Sequence, residues 1–282
     1  MSTRRAQFAG SWYPATASEC EEWIARFCGD ANLPEIDAPL HGGIVPHAGW
    51  VFSGQTACRV VQWLADSVDA DVVLVLGNHM SASSPEWIIA EGEWDTPFGP
   101  IPVSHSVAAD LSALLGLQPV DAAAALSDNT IELQLPFIRH FFPRATIVPI
   151  ALAPKSGVVA AGTAIGEYMA KRQGHGLVIG STDLTHYGLN YGFTPQGNGP
   201  DAGAWVRNTN DRGFIRELIA MNPDAALAHA RRNHSACCPG AAAAALAAAI
   251  AMGAQKAWEV EYAMSSDVQP GDSFVGYVGL VF

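Results

Sequence analysis

Two histidines each follow the end of an apolar run, where a metal-binding imidazole is expected. His47 comes directly after Gly43-Ile44-Val45-Pro46, and His79 follows the apolar run 73–76 through a Gly77-Asn78 turn. Ligands of α/β sheets gather beyond the carboxyl ends of strands, and neutral imidazole is the commonest metal ligand. Each histidine alone also fits a turn or a helix cap, so a metal site requires that the two converge in space.

A carboxylate, a third imidazole and two thiols follow later segments. Asp183 and His186 come just past an apolar run and are placed where they can share a proton as acid and base. Cys237 and Cys238 precede an alanine-rich segment, and the N-terminus of a helix lowers the pKa of a thiol. The alternatives are structural: Asp183 is a turn or cap residue bonded to His186, and each cysteine packs as a small hydrophobe.

Short runs rich in Val and Ile, alternating with helical patterns, must position these side chains. Strands are predicted at residues 71–76, 146–152 and 176–179, and less regular ones at 43–45, 87–91, 257–263 and 274–282. Helices are predicted at residues 18–27, 54–65, 106–115, 131–142, 157–171, 211–221, 223–231 and 240–252. The alternation indicates an α/β layered domain with helices on both faces of the sheet, which a terminal hairpin makes mixed. Residues 187–203 lack periodicity, which predicts a long loop that lines or covers a site.

The charge balance excludes nucleic acid as a partner. The 282 residues include 15 Lys and Arg against 27 Asp and Glu, a net charge of −12, and no basic run occurs. Hydrophobic residues make up 49% of the chain and charged residues only 15%, which excludes intrinsic disorder. The low charged fraction also predicts a buried subunit interface, so we expect a homo-oligomer.

The sequence also predicts a protein without a membrane partner. No apolar stretch follows Arg4 and Arg5, as a secretory signal would require. The longest apolar segment, residues 240–252, is shorter than the ~20 residues that cross a bilayer. The five cysteines are dispersed and have no C-x-x-C spacing, which favours a reducing cytoplasm over a disulfide framework.

Five motifs occur in the order found in one known family. They are Ala9-Gly10-Ser11-Trp12-Tyr13-Pro14, Pro46-His47-Ala48-Gly49-Trp50, Leu76-Gly77-Asn78-His79, Asn129-Thr130-Ile131-Glu132-Leu133-Gln134-Leu135-Pro136 and Ser181-Thr182-Asp183-Leu184-Thr185-His186-Tyr187-Gly188. From about Phe8 to Phe282 the chain resembles the Memo family, also called AmmeMemoRadiSam system protein B. The resemblance implies one domain over residues 1–282 with a fold like that of the class III extradiol dioxygenases, whose non-haem iron is held by two histidines and a carboxylate.

The resemblance also implies a role for each site residue. His47 and His79 match the two metal-ligating histidines, and Cys238 matches the cysteine that takes the place of the carboxylate. Asp183 and His186 match the acid and histidine beside the metal and are the expected catalytic pair. The residues expected to bind substrate are Trp12, Trp50 and Asn129.

The sequence departs from the family pattern in three places. Only Asn78 separates Gly77 from His79, where the family commonly has two residues. Asn129 stands where the family often has a histidine. The Cys237-Cys238 pair leaves the register of the ligating cysteine open, and Cys238 is preferred because it adjoins the helix start.

Three functions are compatible with these residues. The first is a mononuclear His47, His79 and Cys238 site that binds iron, or else copper, and performs redox or dioxygenase-like chemistry on a small molecule. The second is a zinc-dependent hydrolase or lyase, because zinc accepts the same ligands. The third is a non-catalytic binding or adaptor protein, with a peptide as a further candidate partner. The sequence does not identify the substrate.

Overall fold

The computed structural model describes residues 2–29, 36 and 38–282 and contains two sheets. The strands are β1 (Thr3–Arg4), β2 (Gly42–Val45), β3 (Val72–Gly77), β4 (Trp87–Glu91), β5 (Glu93–Trp94), β6 (Ile101–Pro102), β7 (Gln118–Asp121), β8 (Thr146–Ala151), β9 (Gly176–Ser181), β10 (His186–Tyr187), β11 (Trp258–Met264) and β12 (Phe274–Val281). The helices are α1 (Ala17–Cys28), α2 (Trp50–Ser67), α3 (His105–Leu115), α4 (Asn129–Glu132), α5 (Leu135–Phe141), α6 (Val158–Lys171), α7 (Pro200–Trp205), α8 (Asp211–Ile219), α9 (Pro223–Asn233), α10 (Pro239–Met252) and α11 (Ser265–Val268). Short 3-10 turns at Ala122–Ala124 and Leu189–Tyr191 and a π-helical segment at Val206–Asn210 complete the described elements.

The large sheet is mixed, as the sequence predicted. Its order is β10-β12-β2-β9-β3-β8-β4-β7, and β11 pairs with β12 as the terminal hairpin. The central strands β2, β9, β3 and β8 are parallel, whereas β12 and β4 run antiparallel to their neighbours β2 and β8. Because β2, β9 and β3 are adjacent and parallel, the segments that follow them leave from the same edge of the sheet.

Helices cover both faces of this sheet, which confirms the predicted layers. The Cα of Gly43 faces Val60 of α2, whereas Gly180 faces Ala245 of α10. Gly180 pairs with Ile44, the neighbour of Gly43 in β2. Since successive strand residues point to opposite faces, α2 and α10 lie on opposite sides. Helices α1 and α5 pack beside α2, and α6 packs on α10.

The alanine-rich helix α10 is a buried layer of the domain. Its residues from Pro239 to Ala249 are all buried, and a helix that is apolar all round requires such a position. Helix α6 approaches it closely because Gly162 and Gly166 have no side chain where the backbone of α10 passes. A Cβ on Gly166 would collide with the carbonyl oxygen of Ala248.

We expect Gly166→Ala to lower the free energy of unfolding by about 2 kcal/mol, the usual cost of overpacking. Helix propensity alone predicts the opposite sign, a gain of about 1 kcal/mol. Urea unfolding followed by circular dichroism measures the difference, and Ala160→Leu on the exposed side of α6 is the matched control. A more stable Gly166→Ala protein would show that the two helices are not in close contact.

Three predicted elements differ from the structure. Helix α2 begins at Trp50 instead of residue 54. The helix predicted at 131–142 is divided into α4 and α5. Pro136 lies in the first turn of α5, where its missing N–H is tolerated. The prediction of a structureless loop at 187–203 was wrong in part, because this stretch contains the end of β10, a 3-10 turn and the start of α7. Among the described helices, none has the length and apolar character needed to cross a membrane.

Candidate metal centre

Three side chains of the site lie just after the ends of three neighbouring strands. His47 follows β2, His79 follows β3 and Asp183 follows β9, so all three emerge at one sheet edge. The short turn before His79 is formed by Asn78, which adopts a left-handed conformation with φ of 77°. Asparagine tolerates this conformation better than most residues, and the turn brings the rings of His47 and His79 to a centroid distance of 5.1 Å.

The two cysteines reach the same place from the start of α10. The backbone N–H of Cys237 donates to the carbonyl oxygen of Asp183 at 3.1 Å. The N–H of Cys238 donates to Oγ1 of Thr182 at 3.0 Å. The cysteine segment is therefore bonded to the loop that follows β9, which fixes both sulfurs at the sheet edge.

Together these residues form a group that can hold a metal ion. The ligand atoms of His47, His79, Cys237 and Cys238 all lie within 4.8 Å of one another. Nε2 of His47 lies 3.2 Å from Sγ of Cys237, and the two sulfurs are 3.7 Å apart. Ligand atoms ~2.0–2.3 Å from one tetrahedral ion lie about 3.3–3.8 Å apart. The His47–Cys237 and Cys237–Cys238 pairs are close to this spacing, and the widest pairs would have to approach by up to about 1 Å to share one ion.

The tautomer of His47 leaves its inner nitrogen available to a metal. Nδ1 lies 3.0 Å from Oγ of Ser181, and that hydroxyl donates its own hydrogen to the carbonyl oxygen of Thr130 at 2.6 Å. Ser181 must therefore accept from Nδ1–H, which leaves the lone pair on Nε2. A ligating histidine commonly has its other nitrogen bonded in this way.

His79 is held by a carboxylate that the sequence analysis did not assign. Oδ2 of Asp128 accepts hydrogen bonds from Nδ1 of His79 at 3.0 Å and from its backbone N–H at 3.1 Å. The hydrogen bond to Asp128 raises the pKa of His79 to about 10 despite partial burial. Burial opposes ionisation of Asp128, but its bonds to His79 and Thr130 lower the pKa of the carboxyl to about 2.

The two thiols have opposite electrostatic environments. Burial opposes ionisation of Cys237, but the hydrogen bond with Cys238 and the imidazoles of His47 and His79 lower its pKa well below the ordinary value. The same hydrogen bond, together with burial, raises the pKa of the Cys238 thiol well above its ordinary value. Cys237 is thus the sulfur that ionises first, while the S–H of Cys238 donates to the carbonyl oxygen of Asn78.

Asp183 and His186 both lie beside this group, but the structure does not join them to each other. Oδ1 of Asp183 accepts the backbone N–H of His47 at 2.6 Å, and its Oδ2 lies 4.0 Å from Nε2 of His47. Nδ1 of His186 instead bonds to the carbonyl oxygen of Leu184 at 3.1 Å. The proton sharing expected of Asp183 and His186 therefore has no direct hydrogen bond between the two side chains, because the carboxylate holds the His47 segment.

A cavity of about 1250 Å³ opens over the group. The predicted site residues on its wall are Trp12, His47, His79, Asn129, Asp183 and His186. Asn129 also fixes the site, since its Nδ2 donates to the carbonyl oxygen of His47 at 2.8 Å. The cavity thus connects the group that can hold a metal ion with bulk solvent.

Trp50 does not line the cavity. It is 2% exposed, stacks on Phe137 at 4.1 Å and donates from Nε1 to the carbonyl oxygen of Leu133 at 3.2 Å. The inner side of α2 buries it against α5, so it is a core residue. Tyr13, whose ring lies 5.6 Å from that of Trp50, lines the cavity instead.

Comparison with known proteins agrees with the motifs. The sequence model of the Memo family, described as Memo-like protein, matches residues 4–281. MEMO1 family protein PF1638 of Pyrococcus furiosus is 32% identical over 99% of this chain and 98% of its own length, and MEMO1 family protein MK0963 of Methanopyrus kandleri is 32% identical over 99% and 98%. A solved structure, uncharacterized protein JW3007 from Escherichia coli K12, covers 86% of this chain and 99% of that chain with 13% identity and a TM-score of 0.48. With a match over nearly its whole length, the chain belongs to the Memo family.

Proposed function

We propose that this chain is a metal-dependent enzyme that acts on a small organic molecule at the inner end of the cavity. One ion would be held by His47, His79 and Cys237. The observation that carries the proposal is the approach of two imidazoles and two thiols to within 4.8 Å of one another beside a cavity of about 1250 Å³. Polar groups that converge in a large cavity are characteristic of ligand sites.

We assign the sulfur ligand to Cys237 instead of Cys238, which the sequence favoured. The 3.2 Å separation from Nε2 of His47 supports this assignment. The Cys238 thiol, in contrast, lies against the carbonyl oxygen of Asn78 at 3.6 Å and against the sulfur of Cys237. Cys238 would therefore pack against the thiolate from outside the coordination sphere.

The donor set suits iron, copper and zinc, because a thiolate and two imidazoles accept each of them. We propose iron first and a dioxygenase-like oxidation. When bound, the metal would supply redox chemistry, or activation of a water molecule if it were zinc. His186 would move the proton: Nδ1–H is used by Leu184, so Nε2 remains available at the cavity wall.

Elemental analysis of protein purified without chelators or added metal, combined with oxygen-uptake measurements on candidate small molecules, tests this function. We expect about one iron or copper ion per chain and oxygen uptake that is lost in His47→Ala. The matched control is His175→Ala, an exposed histidine outside the group.

The hydrolase and the binding protein, which are the alternatives to a redox enzyme, each predict a different result in this experiment. Tightly bound zinc without oxygen uptake would replace the redox proposal by a hydrolase. A chain that takes up none of the three metals under reconstitution would contradict enzyme function through this site and favour a binding protein.

We further propose a reducing compartment, such as the cytoplasm, because the five cysteines are free thiols. That the chain forms a homo-oligomer stays a prediction.

A further inference from the structure

The cavity has a polar inner end and an apolar mouth. Its inner end contains buried His47 and Asp183. Its outer part contains exposed apolar side chains: Trp12 at 41%, Val51 at 54%, Leu189 at 72% and Tyr191 at 47% exposure. Exposed apolar side chains that cluster in one place mark a binding surface. A ligand that extends from the metal group toward solvent therefore meets apolar and aromatic walls.

Apart from the histidines of the inner end, the charged groups on the described lining have a single sign. Glu19, Asp183 and Asp272 line the cavity, whereas no Lys or Arg does so among the described residues. The structure does not describe residues 1, 30–35 and 37, and the sequence has no Lys or Arg at these positions either. Nothing on this lining, apart from the histidines of the inner end, can neutralise a ligand carboxylate or phosphate.

Two of these carboxylates lie at the outer part of the cavity without a basic partner. The ion pairs among the described residues include neither Glu19 nor Asp272. The carboxylate of Glu19 accepts a hydrogen bond from Oγ1 of Thr16 at the start of α1, at 2.7 Å. Burying a ligand anion beside unpaired carboxylates is unfavourable, whereas a ligand cation gains both their charge and the faces of the aromatic rings.

We infer that the cavity takes a small organic molecule with an aromatic or apolar body whose outward-facing part is neutral or cationic, and that it discriminates against molecules with a carboxylate or phosphate there. This inference deepens the proposed function and rests on it for the reaction. It concerns the part of the ligand near Trp12, Glu19 and Asp272.

Three matched probes test the inference: 2-phenylethylamine, 2-phenylethanol and 3-phenylpropanoate, which share a ring and differ in the charge of the head group. Binding to the full chain is measured by fluorescence titration, because Trp12 and Trp23 line the cavity. We expect the amine to bind about 10-fold more tightly than the carboxylate, with the alcohol between them. Equal or tighter binding of the carboxylate, or binding of none of the three, would overturn the inference.

A charge-neutralising double variant locates the preference. Glu19→Gln with Asp272→Asn should reduce the advantage of the amine several-fold and leave the alcohol unchanged. Gln preserves the capping arrangement with Thr16. Glu21→Gln removes one charge from an exposed position of α1 outside the cavity and should change nothing. If Glu21→Gln has the same effect as the double variant, only the net charge of the chain matters and the cavity assignment fails.

The same probes separate this inference from the proposed function. In Cys237→Ser, which should lose the metal, the order of the three affinities should persist because the head groups interact at the mouth. A chain that binds no metal but keeps the order would overturn only the proposed enzyme. A chain that binds iron and prefers the carboxylate would overturn only the ligand class.

Discussion

Replacement of Cys237 by serine is expected to weaken metal binding by more than about 100-fold, whereas Cys238→Ser, whose hydroxyl can keep the hydrogen bond to the carbonyl oxygen of Asn78, should weaken it by less than about 10-fold. Loss of a partner outside the coordination sphere already costs 10–100-fold in typical sites, so loss of a ligand costs more. Sγ of Cys237 lies 3.2 Å from the nitrogen of His47 that would bind the ion. Serine cannot supply a thiolate there, and a hydroxyl is a poor ligand for soft metals.

The comparison is made by competition with a chromophoric chelator, using purified apo protein and both serine variants. Cys28→Ser is the control, since Cys28 lies in α1 and is not part of the His47, His79, Cys237 and Cys238 group; its sulfur approaches that of Cys58. A visible charge-transfer band from thiolate to iron or copper should disappear in Cys237→Ser alone. If Cys238→Ser loses the metal and Cys237→Ser keeps it, the ligand is the one that the sequence favoured.

The sequence predicted the sheet well because its central strands are short, apolar and bounded by Gly, Pro or Asn. Strands β3, β8 and β9 begin and end within two residues of the predicted positions. Since β2, β9 and β3 are parallel, the histidines after β2 and β3 had to emerge at one edge, and both belong to the group that can hold a metal ion. The order of the elements and the ends of the strands were therefore sufficient to predict that the two histidines lie together.

The contacts that orient the site residues could not be predicted from the sequence and become visible only in the folded chain. Asp128 and Ser181 lie 49 and 134 residues from the histidines that they hold, and neither spacing has a local signature. Trp50 is the last residue of a site motif in the sequence, yet the direction of α2 turns it into the core. The two cysteines are adjacent in sequence, so only the start of α10 decides which sulfur faces His47.

Asp128→Asn is expected to weaken metal binding by about 10–100-fold without removing any ligand. The carboxylate accepts hydrogen bonds on both oxygens: Oδ1 from the N–H and hydroxyl of Thr130, and Oδ2 from Nδ1 and the backbone N–H of His79. All four partners are donors. Asparagine offers one oxygen and one amide NH₂, so one pair of donors would face another donor.

If the amide faces His79, the imidazole loses its orientation and the turn loses its anchor. If it faces Thr130, the helix cap of α4 is lost, since Asp128 is the N-cap residue there. In both orientations His79 also loses the adjacent negative charge that favours a bound cation. Chelator competition measures the affinity, and Asp110→Asn, at an exposed carboxylate bonded to Tyr168, is the control. Unchanged affinity in Asp128→Asn would mean that His79 does not bind the ion, because a ligating imidazole cannot be indifferent to the group that orients it.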